Sequence, residues 1–186
     1  VATGAVSRRS RWIAGGATFS ADRAYRHVLW RARHKELGED LVSRLLGVIM
    51  LNPSIAGEDP RVNDMTIIKL RGYCDRWGYR RFQVANLYDL VATDQRMLYQ
   101  RDAFDRHAVS SANASYIANT IRDSDCILVA WGGLANLDAR GRAKAVLDQV
   151  RLAGKELVCI GVTANGDPLH PSRAPYCPSA TPYTIT

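Results

Sequence analysis

The chain alternates short, almost uniformly apolar runs with longer segments of helical period. Residues 45–51, LLGVIML, are too short and too evenly apolar for an amphipathic helix. They fit a parallel strand covered on both faces. The run stops abruptly at Asn52-Pro53-Ser54. Residues 81–87 (RFQVANL), 126–132 (CILVAWG) and 156–162 (ELVCIGV) read the same way, the first passing through Asn86 and the second ending at Trp131-Gly132. Between these runs the period changes to 3.6. Asn63 or Asp64 caps a helix running to Trp77, with Ile67, Leu70, Cys74 and Trp77 on one face and Gly78 as its stop. A second helix is predicted from Asp105 to Arg122, with Val109, Ala112, Tyr116, Ile117, Thr120 and Ile121 along one side, and a third over 140–153, with Ala143, Val146, Leu147 and Val150 inward. Residues 17–33 alternate partially through Tyr25, Val28 and Trp30, as an edge strand or hairpin does. Residues 1–16 read as a flexible basic arm and 17–186 as a single domain, without internal repeats.

Strands alternating with helices imply an α/β fold. The expected form is a three-layer α/β/α sandwich around a central, mainly parallel, four-stranded sheet, with an N-terminal edge strand or hairpin added. In such sheets ligands bind beyond the carboxyl ends of the strands. That rule gathers four polar segments on one rim: Asn52-Pro53-Ser54, Asn86, Trp131-Gly132-Gly133 and His170-Pro171-Ser172.

Charge adds a class of partner. The 186 residues carry 25 Lys and Arg against 18 Asp and Glu, a net charge of +7. Such an excess attracts polyanions, phosphate backbones first among them. Arg8, Arg9 and Arg11, then Arg80 and Arg81, then Arg140 and Arg142 form three loose clusters, a basic face only if the fold unites them. No apolar run approaches the roughly 18 residues of a membrane span, and the N-terminal stretch has no secretory apolar core. The expected compartment is the cytoplasm. The four cysteines form no CxxC pair, and Cys126 and Cys159 sit in apolar runs, as buried reduced thiols do. No metal or cofactor is expected.

The rim has no GxGxxG, GxxxxGK[ST] or GxSxG, which leaves amide, imidazole, hydroxyl and aromatic groups. Asn52 and Asn86 each offer a donor and an acceptor, suited to the edge of a heterocyclic base. His170 can donate to an oxygen gaining negative charge, and Trp131, Tyr88 or Tyr176 can supply a stacking face. Each also has a plainer reading: strand-end Asn residues form turns, Asp59 and Asp64 cap helices, and Trp131 fills a core.

The stretches VIMLNPSIAGEDPRVNDMTIIKLRGYCDRWGY, QVANLYDLVATD, ILVAWGG and CIGVTANGDPLHPS together resemble DUF1643, a family of small bacterial proteins. The order of Leu51-Asn52-Pro53-Ser54, Ala85-Asn86-Leu87 and His170-Pro171-Ser172 is in turn similar to the uracil-DNA glycosylase superfamily. That resemblance implies a metal-independent DNA glycosylase. Asn52 would orient water at the glycosidic carbon, Asn86 would read the base, His170 would hold charge on the departing base, and Pro171-Ser172 would press the DNA backbone. Pro53, Ser54 and Trp131 would complete the substrate wall, and Asp64, or Asp59, offers a general base. The motifs depart from the superfamily at Leu51, in lacking an aromatic residue at the usual stacking position, and along DLVATD, which leaves the base open. Two alternatives share the fold: a non-catalytic nucleic-acid or nucleotide-binding module, and an N-glycosidase of free nucleotides.

Overall fold

The computed structural model describes residues 12–33, 44–54, 57, 59–92, 94, 96, 98 and 108–184. Strands β1 (Trp12–Phe19) and β2 (Arg26–Arg33) form an antiparallel hairpin. The chain then enters β3 (Leu45–Met50), helix α1 (Met65–Trp77), β4 (Arg81–Asn86), α2 (Asn113–Asp123), β5 (Cys126–Val129), α3 (Leu137–Leu152) and β6 (Glu156–Cys159), and ends on a short β7 (Thr181–Pro182). The strands lie in one sheet in the order β1-β2-β4-β3-β5-β6-β7. β3 pairs in parallel with β4 and β5, and β5 with β6. The β1–β2, β2–β4 and β6–β7 pairs are antiparallel.

The α/β reading holds, but the sheet is larger than the four strands expected: seven strands, with antiparallel partners extending both sides of the parallel run. The hairpin is not an appendage, since β2 pairs directly with β4. The proposed basic arm also ends sooner, because β1 begins at Trp12 and takes residues 12–16 into the sheet, whereas residues 1–11 lie outside the described residues.

Every residue of β3 is buried, as a central strand requires. Its side chains divide by alternation. Leu46, Val48 and Met50 join Phe82, Val84, Leu128 and Ala130 in a core under Ile67, Leu70, Tyr73 and Cys74 of α1. Ile49 and Leu51 join Ala85, Ile127 and Val129 in a core under α2 and α3. Helices therefore cover both faces. Trp77, expected on the buried face of α1, is only partly buried, and Tyr73 takes the fuller place.

Element ends differ from the sequence pattern for local reasons. α2 starts at Asn113, well after Asp105, which lies outside the described residues. Residues 108–112 form a turn instead, with Ser110 N–H donating to buried Asp89 Oδ1 at 2.8 Å. α3 starts earlier than residue 140 because Asn136 Oδ1 accepts from Ala139 N–H at 2.8 Å. β5 and β6 stop at Val129 and Cys159, where their pairing ends, so Trp131 and Gly132 lie past the strand.

Gly47 shows how tightly α2 seats on the sheet. A Cβ there would lie 2.5 Å from Ser124 Oγ and 2.6 Å from Ile127 Cδ1. Gly47→Ala is expected to cost about 1–3 kcal/mol through overpacking. Urea unfolding measures it, and an unshifted midpoint would contradict the close packing.

Candidate functional site

The parallel register places Met50 opposite Asn86. The ladder runs on past both strands, Leu87 N–H donating to Met50 O and Tyr88 N–H to Leu51 O, each at 2.9 Å. Two-residue periodicity then carries Asn52 onto the face of Leu46, Val48 and Met50, and Asn86 onto the face of Phe82 and Val84. That face lies under the N-terminal end of α1. Here a cavity of about 150 Å³ is lined by Arg26, Met50, Asn52, Ser54, Asp64, Thr66, Ile67, Val84, Asn86, Ala92 and His170. A protein cavity of about 150 Å³ holds benzene, so one six-membered ring fits.

Each polar wall residue is held in a definable way. Asn52 Nδ2 donates to Ala92 O at 2.6 Å and to Pro53 O at 3.0 Å, which commits the amide nitrogen and leaves Oδ1 as the available acceptor. Asp64 is the N-cap of α1, its Oδ1 accepting from Ile67 N–H at 2.9 Å, while Ser54 Oγ donates to its Oδ2. Asn86 is 1% exposed, and neither its Oδ1 nor its Nδ2 has a hydrogen-bond partner. Buried amide groups are nearly always paired; an orphan at the wall of a cavity marks a place for a ligand's polar edge.

His170 reaches the cavity through a return of the chain after β6. Val162 bridges Pro168, Leu169 N–H donates to Gly161 O at 2.8 Å, and Gly132 N–H donates to Pro168 O at 2.9 Å. Asp167 ties this return to the start of α3, accepting from Leu134 N–H at 3.3 Å and pairing with Arg140 at 3.5 Å. His170 Nδ1 accepts from Ser172 N–H at 3.4 Å and lies 2.8 Å from Ser172 Oγ. With Nδ1 accepting, the neutral ring carries its proton on Nε2. Burial, helped by the Arg173 charge and opposed by Asp64, pushes the imidazole below its ordinary value of 6.5.

Asn52, Ser54, Asp64, Asn86 and His170, all named from the sequence, thus meet at one cavity. The others do not line it. Trp131 follows the alternation of Ile127 and Val129 and is buried in the opposite core, so it is no stacking platform there. Tyr88 is fully buried with its hydroxyl donating to Asp138 at 2.8 Å, and Tyr176 packs against Tyr73 on α1. Pro53 and Pro171 are buried backbone supports, and Ser172 is exposed next to His170. Asp59 is held by Arg61 N–H and its guanidinium, which lower the carboxyl to about 2, and it lies off the cavity. It is a poor base. Of the arginine clusters, Arg8, Arg9 and Arg11 lie outside the described residues, Arg81 opens β4 at the end opposite Asn86, and Arg140 and Arg142 lie on α3.

Arg26 and Thr66 were not named from the sequence. Arg26 begins β2, and an antiparallel strand starts at the rim where its parallel neighbours finish. A register shift leaves His27 without a partner between the Val28–Thr18 and Arg26–Phe19 pairs. The bulge separates two neighbours: His27 stacks on Tyr116 of α2 at 4.6 Å, while Arg26 lines the cavity on the α1 side. Thr66 sits in the first turn of α1, a position that the Asp64 cap could have revealed.

Two outcomes check this geometry. Asn86→Leu removes an amide with no partner, so unfolding should be unchanged or about 1 kcal/mol more costly; a loss of several kcal/mol would show that Asn86 is a structural residue. Because the folded pKa of His170 is depressed, stability is complete above 6.5 and declines as pH falls through the lower value. Imidazole NMR should give a midpoint below 6.5 with the Nε2–H tautomer at neutral pH, and His170→Gln should remove that part of the decline.

Among the described residues no helix is long and apolar enough to cross a membrane. The cysteines are unpaired, with Cys74, Cys126 and Cys159 buried and Cys177 partly so. Neither a curated protein nor a solved structure matches the chain. One family model does, spanning residues 26–172, from the buried arginine of the cavity to the serine beside His170. The chain therefore belongs to the family described as "Protein of unknown function (DUF1643)".

Proposed function

We propose that the cavity receives a nucleobase and that the chain is an N-glycosidase-like enzyme acting on a uracil-type or modified base in DNA. The observation that carries this reading is the orphan amide of Asn86, buried in a ring-sized cavity shared with Asn52 and His170. An amide offers one donor and one acceptor side by side, the complement of a lactam edge. A base inside a duplex cannot reach such a cavity, so the target nucleotide leaves the stack.

The reaction breaks the bond between the sugar C1′ and the base nitrogen. The base departs with the electron pair, and neutral His170 donates Nε2–H to the ring oxygen where that charge collects. Water forms the new bond to C1′. Asn52 Oδ1 accepts one hydrogen bond from that water. Its proton passes to Ser54 Oγ as the serine proton moves to Asp64, the carboxylate to which Ser54 already donates. A net charge of +7 favours approach to a phosphate backbone.

The test is a panel of single- and double-stranded oligonucleotides carrying uracil and deaminated, oxidised or hypermodified bases, assayed for abasic product. One or more bases should be released, and Asn86→Ala or His170→Ala should each slow release by about 10²–10³-fold with the fold intact. No product across the panel, with active controls, would sink the DNA-glycosylase reading. Salt-dependent DNA binding that survives Asn52→Ala and His170→Ala would then identify a binding module. Base release from mononucleotides alone would make the substrate a free nucleotide.

A further inference from the structure

The segment that carries His170 continues along the outer face of α1 and brings positive charge together there. Lys69 Nζ donates to Ala174 O at 2.8 Å, the Tyr73 hydroxyl to Pro175 O at 2.7 Å, and Trp77 Nε1 to Cys177 O at 3.3 Å. Residues 170–177 thus follow the helix from its N-terminal end, at the cavity, toward its C-terminal end. Arg173 is exposed three residues beyond His170. Lys69, Gly72, Tyr73 and Arg76 fall at i, i+3, i+4 and i+7, one face of α1. Tyr176 lies across that face, where a Cβ at Gly72 would collide with its ring. Lys69 Nζ then stands 4.2 Å, and Arg76 Cζ 3.9 Å, from the centroid of that ring. Two like charges held against one ring repel each other. Arg76 gives an N–H to Gly72 O at 2.8 Å, and among the described residues no carboxylate forms a salt bridge with Lys69, Arg76 or Arg173. The one acid of α1, Asp75, accepts from Trp12 Nε1 of the hairpin at 3.0 Å.

We infer that this strip is the track for a DNA strand, with Arg173, Lys69 and Arg76 binding its phosphates and Tyr176 giving a base a surface to rest on. The inference rests on the base-pocket reading for the entry of a nucleotide at the His170 end, and adds where the flanking strand lies. Thr66 and Arg76 are separated by about 15 Å of helix, room for more than one phosphate of a strand. Cations interleaved with an aromatic ring suit a polymer that alternates phosphates with bases, and Tyr176 keeps 39% of its surface exposed. An acidic peptide would meet the charges but leave the ring unused. None of the three cations stands in a cluster along the chain; α1 and the segment after His170 unite them.

Fluorescence anisotropy of the full chain with a short labelled oligothymidylate tests the strip without requiring catalysis. The logarithm of the affinity should fall linearly with the logarithm of the salt concentration. Arg173→Gln, Lys69→Gln and Arg76→Gln should each weaken binding and flatten that slope by about 0.7, and the triple variant by about 2. Arg76→Lys, which keeps the charge, should keep the slope. Lys144→Gln, on α3 across the sheet, and Asn86→Ala should leave it unchanged. A wild-type slope in the triple variant overturns the inference, as does a wild-type chain that binds no oligothymidylate. An equal loss from Lys144→Gln overturns it too, because net charge alone then accounts for binding. Polyglutamate of matching length that binds as tightly, with the same dependence on Arg76, overturns the assignment to DNA. Base release that is indifferent to the triple variant defeats this inference alone. Strip-dependent binding with no base released from any oligonucleotide defeats the glycosidase reading and leaves the strip as a DNA-binding surface.

Discussion

The pairing of β3 with β4 is the constraint on which the rest of the site depends. Once Met50 stands opposite Asn86, the pleat decides which side chains face α1 and which face α2 and α3. Both asparagines fall on the α1 side, each continuing a row of buried apolar residues. A slip of one residue in either strand would turn its asparagine into the opposite core. The apolar residues of the two cores hold that register, since shifting it would expose Val48 or Val84 to the wrong packing. Stability and site geometry therefore come from one set of contacts.

A second set of interactions turns the loop after β3 back toward the sheet. Arg31, from the middle of β2, donates to Asn63 Oδ1 at 3.0 Å and to Gly57 O at 2.8 Å. These bonds satisfy a buried guanidinium and pin the approach to Asp64, which caps α1. A charge in that position is costly unless paired and hydrogen-bonded. The same β2 strand delivers Arg26 to the cavity through its bulge, so the antiparallel hairpin is as much a part of the site as the parallel strands are.

Behind Arg26 lies a further polar assembly. Buried Asp89 pairs with His27 at 2.8 Å and accepts from Ser110 N–H at 2.8 Å, while its carbonyl receives Arg26 N–H at 2.8 Å. This joins β2, the segment after β4 and the turn before α2. That segment also carries Ala92, whose carbonyl orients the Asn52 amide. The geometry of Asn52 thus depends on groups distant in sequence, and none of them belongs to a recognisable motif.

The α/β class, the parallel runs, a helix cap at Asn63 or Asp64 and the rim residues Asn52, Ser54, Asn86 and His170 were legible in the sequence, because strand alternation, capping chemistry and strand-end polarity are local properties, and the fold then chose Asp64 as the cap. Trp131 could have been excluded by the same alternation, since it shares parity with the buried Ile127 and Val129. Arg26 could not have been found in that way. Its place at the cavity comes from antiparallel pairing with β4, where Leu29 stands opposite Val84, and from a one-residue bulge against β1, and neither pairing is visible in the periodicity of β2 alone. Likewise, only tertiary structure decided that Asn86 would stay unpartnered while Asn52 was tied to Ala92. A side chain's type is written in the sequence. Whether its hydrogen bonds are already spent depends on what the fold places beside it.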